Sequence, residues 1–205
     1  TARRRRKVTD IPVVISPTGN LGSGGMAQKW LKKKTFLAIA KALQLYRGVI
    51  WKPSTEIELG EVKAVFGEDV TAMVAPDLTP RELIPTYSFD QKPQKESGTV
   101  RFLFLSRIVK KKNLGYLLDR LGELGEGSIT LDIVGAQEDA DHWNECLAKI
   151  AKLPANITIN IVGVVSYLES LDLMLKCHFF VLPTMHENFG YVFIESLAAG
   201  SPIVI

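Results

Sequence analysis

The chain of 205 residues is 46% hydrophobic and 23% charged, with a formal charge of +3; this admits one large or two small folded domains and excludes disordered and collagen-like classes. No apolar run reaches the roughly 18 residues that would span a bilayer, and no apolar stretch follows the basic cluster Arg3 to Lys7 to make a signal peptide, so the expectation is a cytoplasmic protein. Cys146 and Cys177 are a lone pair in amphipathic or apolar segments and read as small buried hydrophobes of a reduced compartment.

Short apolar runs alternate with longer segments of helical period, the pattern of parallel strands joined by crossover helices, so the fold class is α/β. Pro12 to Ser16 reads as a strand, followed by a Gly-rich loop through Gly25 and a helix from Lys29 to Tyr46. In that helix Trp30, Phe36, Leu37, Ala40 and Leu43 recur on one side. Gly48 to Trp51 is the next strand. A helix over Ser54 to Phe66 follows, with Thr55 and Glu58 spaced as a capping box, and Val70 to Val74 reads as a third strand. Residues 76 to 98 hold Pro76, Pro80, Pro85 and Pro93 with little helical period, and read as a linker.

Beyond the linker the pattern restarts. Strand Val100 to Leu105 precedes helix Asn113 to Leu124, strand Ile129 to Val134 precedes helix Glu138 to Leu153, and Pro154 stops that helix. Strand Ile157 to Val162 leads to a helix opened by Ser166 with Glu169 three residues on, a second capping box. Strand His178 to Leu182, helix Phe189 to Ala199 and strand Pro202 to Ile205 close the chain. Both ends read as cut through secondary structure, so the expectation is a fragment with domains 1–75 and 99–205, the first partial and the second missing its last elements.

Positive residues bunch at Arg3 to Lys7, Lys32 to Lys34 and Lys110 to Lys112. The first two clusters read as solvated helix faces or C-termini; the alternative is peripheral contact with an anionic membrane or a phosphorylated acceptor. Nucleic acid is not an expected partner, because the clusters lack interleaved aromatics and no nucleic-acid-binding motif is present.

In an open parallel sheet, ligands bind outside the carboxyl ends of the strands. Residues just past those ends in the second half are Ser106, Arg107 and Lys110 to Lys112, then Gly135, then Gly163 and Val164. The last run, Pro183 to Gly190, enters a helix carrying Glu195. Cations, glycines that permit close backbone approach, a helix start and two carboxylates suit a sugar nucleotide. Arg107 offers a planar fork and Lys112 a point charge for phosphates. Glu187 and Glu195 offer acceptors for sugar hydroxyls, and the backbone N–H groups of Asn188, Phe189 and Gly190 are first-turn donors. His186, His142 and His178 read as incidental or structural.

The segments Phe104-Leu-Ser-Arg-Ile-Val-Lys-Lys-Lys-Asn113, Leu131-Asp-Ile-Val-Gly135, Ile161-Val-Gly163 and Leu182-Pro-Thr-Met-His-Glu-Asn-Phe-Gly190, continuing to Glu195 and Ala199-Gly-Ser-Pro202, resemble the second domain of retaining glycosyltransferases of family 4. Glu187 and Glu195 match that family's E-x7-E motif. The resemblance covers residues 99 to 205 closely and the first half, around Ser16 to Leu21, Lys29 to Lys33 and Ser54 to Glu56, less distinctly. It implies the GT-B fold of two Rossmann-like domains, with the acceptor side in the first and the donor nucleotide in the second. Arg107 and Lys112 would bind the donor pyrophosphate, Glu187 the transferred sugar and Glu195 the ribose. Gly163 and Val164 would frame the base, Gly135 would allow close approach, and Asn188, Phe189 and Gly190 would lie near sugar and phosphate. No cofactor or metal is implied, and the partners are a nucleotide sugar and a saccharide or lipid-linked acceptor. Thr18 and Lys52 depart from the arginine and histidine that relatives often carry. A nucleotide-sugar epimerase of similar fold and a noncatalytic sugar-nucleotide-binding protein are the alternatives.

Overall fold

The computed structural model describes residues 11–22, 30–76, 92–185, 187 and 190–205. The chain divides into two compact units, Thr1–Leu78 and Thr79–Ile205. The basic cluster Arg3 to Lys7, residues 23 to 29 of the Gly-rich loop, most of the linker, His186, Asn188 and Phe189 lie outside the described residues.

In the first unit β1 (Val13–Ile15) pairs in parallel with β2 (Val49–Trp51), Val13 opposite Val49 and Ile15 opposite Trp51. Between them runs α1 (Trp30–Ala42), and after them α2 (Glu56–Phe66). The core is small: Val49, Trp51 and Val62 are buried, with the rings of Tyr46, Trp51 and Phe66 at centroid distances of 4.7 to 5.4 Å. Such aromatic clusters supply large apolar burial from few residues. The apolar side expected of α1 is not buried among the described residues. Trp30, Phe36 and Leu43 are exposed, Leu37 is half-buried and Ala40 is buried.

Two expectations for this unit are corrected. Val70 to Val74 is not a strand: Ala72 alone bridges Trp51, through Trp51 N–H to Thr71 O (2.8 Å) and Met73 N–H to Trp51 O (2.9 Å). The capping box at Thr55 is half formed. Thr55 Oγ1 accepts from Glu58 N–H at 3.1 Å, but the Glu58 carboxylate turns away to accept Ser54 N–H at 2.7 Å and Gly19 N–H at 2.6 Å. Glu58 is thereby buried with its lone pairs satisfied, and it fixes a loop in which Thr18 and Gly19 both have positive φ.

The second unit is a five-stranded parallel sheet ordered β5-β4-β3-β6-β7: β3 (Thr99–Leu105), β4 (Ser128–Val134), β5 (Ile157–Gly163), β6 (Phe179–Val181) and β7 (Ile203–Val204). The helices are α3 (Leu114–Gly122), α4 (Ala140–Ile150), α5 (Tyr167–Lys176) and α6 (Tyr191–Ala198), with α3 against α4 and α5 against α6. The chain builds β3, β4 and β5 outward in one direction, then crosses back to place β6 on the other side of β3. With right-handed crossovers this reversal sends the two helix pairs to opposite faces and marks the place, between β3 and β6 at their carboxyl ends, where sheets of this topology form a ligand crevice.

The central strands are nearly continuous apolar runs because both faces are covered. Leu103, Phe104, Leu131, Ile133, Phe180 and Leu182 are buried with Leu114, Leu118, Leu171 and Met174 from the helices, and Cys146 and Cys177 are buried free thiols. A carboxylate is tolerated within the sheet: Asp132 is buried and accepts Arg101 Nε at 2.7 Å and Asn160 Nδ2 at 2.8 Å across three strands. The Ser166–Glu169 capping box is fully formed at the start of α5. At the other end of α5 the Lys92 ammonium donates to Met174 O (2.8 Å), Cys177 O (3.0 Å) and Ser201 Oγ, satisfying carbonyls that the helix leaves open. His178 pairs with Arg101 through backbone and Nδ1, a structural role as expected. No helix among the described residues is long and apolar enough to cross a membrane.

Candidate functional site

Backbone hydrogen bonds extend the sheet past its strands and hold the carboxyl-end loops together. Ser106 N–H donates to Val134 O (3.0 Å), Ile108 N–H to Ala136 O (2.7 Å) and Gly135 N–H to Gly163 O (2.8 Å). Gly135 has φ +139° and packs so tightly on the Ser106 carbonyl that no Cβ fits there. The close approach expected at this glycine is therefore to the neighbouring loop of the protein. Gly163, with φ +83°, has open space where a side chain would stand, and Val164 after it is 75% exposed.

On the β6 side, Met185 N–H (2.9 Å) and Thr184 Oγ1 (3.2 Å) both donate to Lys111 O. This ties the loop after β3 to the loop after β6. Lys110–Lys112 is a single 3-10 turn ended by Asn113 in the left-handed conformation, and α3 begins after it at Leu114, within one residue of the expected start. The backbone of the turn is committed to the neighbouring loop, and Asn tolerates the positive φ that redirects the chain.

The tie fixes two charged groups. The side chain of Lys112 is 8% exposed and its ammonium is ion-paired with the Glu187 carboxylate. A buried ammonium requires such a partner, and here the partner comes from the other side of the crevice. Gly190, at φ +70°, is the N-cap of α6, and a side chain there would meet the Phe193 ring and the Glu187 side chain. α6 thus begins at Tyr191, two residues later than expected, and Gly190 supplies a cap in place of a first-turn donor.

Arg107 stands at the end of β3 with its side chain 57% exposed, its Nη1 donating to Glu138 Oε2 at 3.0 Å. Glu195 lies in the middle of α6, half-buried, and its carboxylate has no hydrogen-bond or ion-pair partner among the described residues. Burial pushes its carboxyl above the ordinary carboxylate range. The carboxyl edge therefore brings Arg107, Gly135 and Gly163 together through adjoining loops, and Lys112, Glu187 and Gly190 through another set. No hydrogen bond or ion pair joins Glu195 to either set among the described residues.

The arrangement puts an exposed guanidinium paired with Glu138 and a buried ammonium paired with Glu187 at the carboxyl edge of a parallel sheet, beside its direction reversal, the place where such sheets bind ligands. No group of three or more His, Cys, Asp or Glu among the described residues is placed to hold a metal ion. A family model for glycosyl transferases group 1 matches residues 87–205. The chain belongs to that family.

Solved structures with the same GT-B Rossmann-like fold include sucrose-phosphate synthase from Thermosynechococcus elongatus, 17% identical with a TM-score of 0.70 over 98% of this chain and 52% of that one. HepE of Anabaena in complex with UDP and glucose is 19% identical, with a TM-score of 0.71 over 94% of this chain and 52% of that one. A trehalose-6-phosphate synthase studied for glycosyl transfer with retention is 11% identical, with a TM-score of 0.53 over 73% of this chain and 43% of that one. The chain thus spans about half the length, or less, of these structures. A search of curated proteins found no match.

Sequence reasoning missed Glu138 and the loop-fixing role of Glu58. Glu138 left only a weak signal, an acid three residues past Gly135; Glu58 was visible, but as a capping residue alone.

Proposed function

We propose that the protein transfers a sugar from a nucleotide diphosphate sugar to a saccharide or lipid-linked acceptor with retention of anomeric configuration. The observation that carries this reading is the Lys112–Glu187 pair, which spans the loops after β3 and β6 at the direction reversal, on the same sheet edge as Arg107. When the anomeric C–O bond breaks, its electron pair stays on the departing diphosphate. Cations already in place there stabilise the transition state more than the ground state. Arg107 and Lys112 take that part, so the reading calls for no metal.

Glu187 accepts hydroxyls of the transferred sugar and Glu195 those of the ribose. Gly163 and Val164 border the base, while Gly190 stands near sugar and phosphate. With retention the acceptor hydroxyl oxygen bonds to the anomeric carbon on the face the diphosphate leaves and gives its proton to the departing phosphate oxygen, and no protein nucleophile is needed. Domains 1–75 and 99–205, joined by 76–98, serve acceptor and donor. The pathway that fits is cell-envelope polysaccharide synthesis, at the cytoplasmic side and peripheral to the membrane. The UDP and glucose in the HepE complex make a uridine donor the first to try.

The test is turnover of labelled donor by the full-length protein. Arg107→Ala should slow transfer roughly a hundredfold, the loss expected if the guanidinium supplies about 3 kcal/mol in the transition state. A variant with normal turnover and donor affinity would refute the assignment. Donor isomerised without any acceptor would mean an epimerase, and donor bound without transfer a sensor.

A further inference from the structure

Glu138 has no part in the reading above, yet it is paired with the exposed guanidinium of the site. Ile108 and Gln137 bridge in parallel, with Ile108 N–H bonded to Ala136 O, so the loops after β3 and β4 continue the sheet by one more rung. Arg107 is the residue before that rung on one loop and Glu138 the residue after it on the other. Neither loop is free to slide. Gly135 is locked against Ser106 O, and Asp139, next to Glu138, caps α4 by accepting His142 N–H at 3.1 Å. The two loop backbones are thus held side by side, and from them the Arg107 and Glu138 side chains meet at 3.0 Å.

Its exposure separates this pair from Lys112–Glu187. The side chains of Arg107 and Glu138 are 57% and 44% exposed, so either can change partner without stranding a charge in the core. A guanidinium has five donors but one positive charge, and Glu138 already neutralises it. An anionic oxygen arriving at the same guanidinium would lie within a few ångströms of the Glu138 carboxylate, a like-charge contact that stays repulsive in water.

We propose that Glu138 is the resident counter-ion of Arg107: a diphosphate oxygen binds by taking its place, and Glu138 thereby holds affinity for the nucleoside diphosphate down and promotes its release. This rests on the reading of the carboxyl edge as the donor site. Glu138 acts through Arg107 and is a positioning residue, not a catalytic one. The ligand class is set by the exchange: a diphosphate has charge to replace the carboxylate, and an unphosphorylated nucleoside has none.

The experiment is calorimetric titration of the full chain with UDP, GDP and ADP, for wild type, Glu138→Gln, Arg107→Ala and the double variant. Circular dichroism confirms that each is folded. The diphosphate that binds wild type should bind Glu138→Gln roughly three- to five-fold tighter, the size expected of an exposed charge pair. The gain should disappear in the Arg107→Ala background, and the matching nucleoside should bind wild type and Glu138→Gln alike. Unchanged or weaker binding by Glu138→Gln, or an equal gain without Arg107, would overturn the proposal while leaving the donor site standing. Failure of all three diphosphates to bind wild type would remove the donor-site reading and this inference together.

Discussion

Glu195 shows how a single carboxyl connects stability to ligand binding. It sits half-buried on an apolar helix with no partner among the described residues, and burial raises its pKa. A carboxyl whose folded pKa is raised resists ionisation only in the folded state, so the protein loses stability as pH rises from the ordinary carboxylate value through the raised one. Glu195→Gln should therefore melt about 1–3 °C above wild type at pH 7, with the gap closing near about pH 4. Scanning calorimetry at the two pH values measures this, and a variant that melts lower at pH 7 would mean an unseen partner for the carboxylate. The same variant should bind nucleoside diphosphate less well, the pattern of a residue kept for its ligand at a cost in stability. That Glu195 lies within the helix after β6 was legible in the sequence. Its lack of a local partner was not, because a one-dimensional pattern does not show which loops pack beside the helix.

At the scale of elements, two strand-end glycines make a paired test. Both Gly135 and Gly163 have positive φ, but only Gly135 is closed in by neighbouring backbone. Gly163→Ala should cost about 1 kcal/mol of backbone strain. Gly135→Ala must also push the Ser106 carbonyl aside and should cost about 2–4 kcal/mol. Denaturant midpoints compare the two, and equal losses would contradict the stitched-loop picture.

Element order was legible throughout the second unit because hydrophobic period and caps agree there, as at Ser166–Glu169. Where expectation failed, hydrogen bonding decided. Val70 to Val74 is apolar enough for a strand, but only Ala72 finds a partner. α6 starts late because Gly190 adopts a left-handed cap. The ion pairs of Arg107 and Lys112 bridge loops 31 and 75 residues apart in the chain, and charged loop residues carry no period to announce a partner.

For the molecule as a whole, the second unit has a layered core whose direction reversal locates the crevice, while the first buries a few hydrophobic residues among those described. The family match covers residues 87–205, so the case for function rests on that unit. The proposed function requires Arg107 and Lys112 to meet one diphosphate at the carboxyl edge of the sheet. The measurement that addresses this most directly is a crystal structure of the chain grown with UDP, GDP or ADP, whichever binds in solution. Diphosphate density within hydrogen-bonding distance of both Arg107 and Lys112, between the loops after β3 and β6, is the predicted result. A bound nucleotide elsewhere, with that crevice empty, would contradict the account.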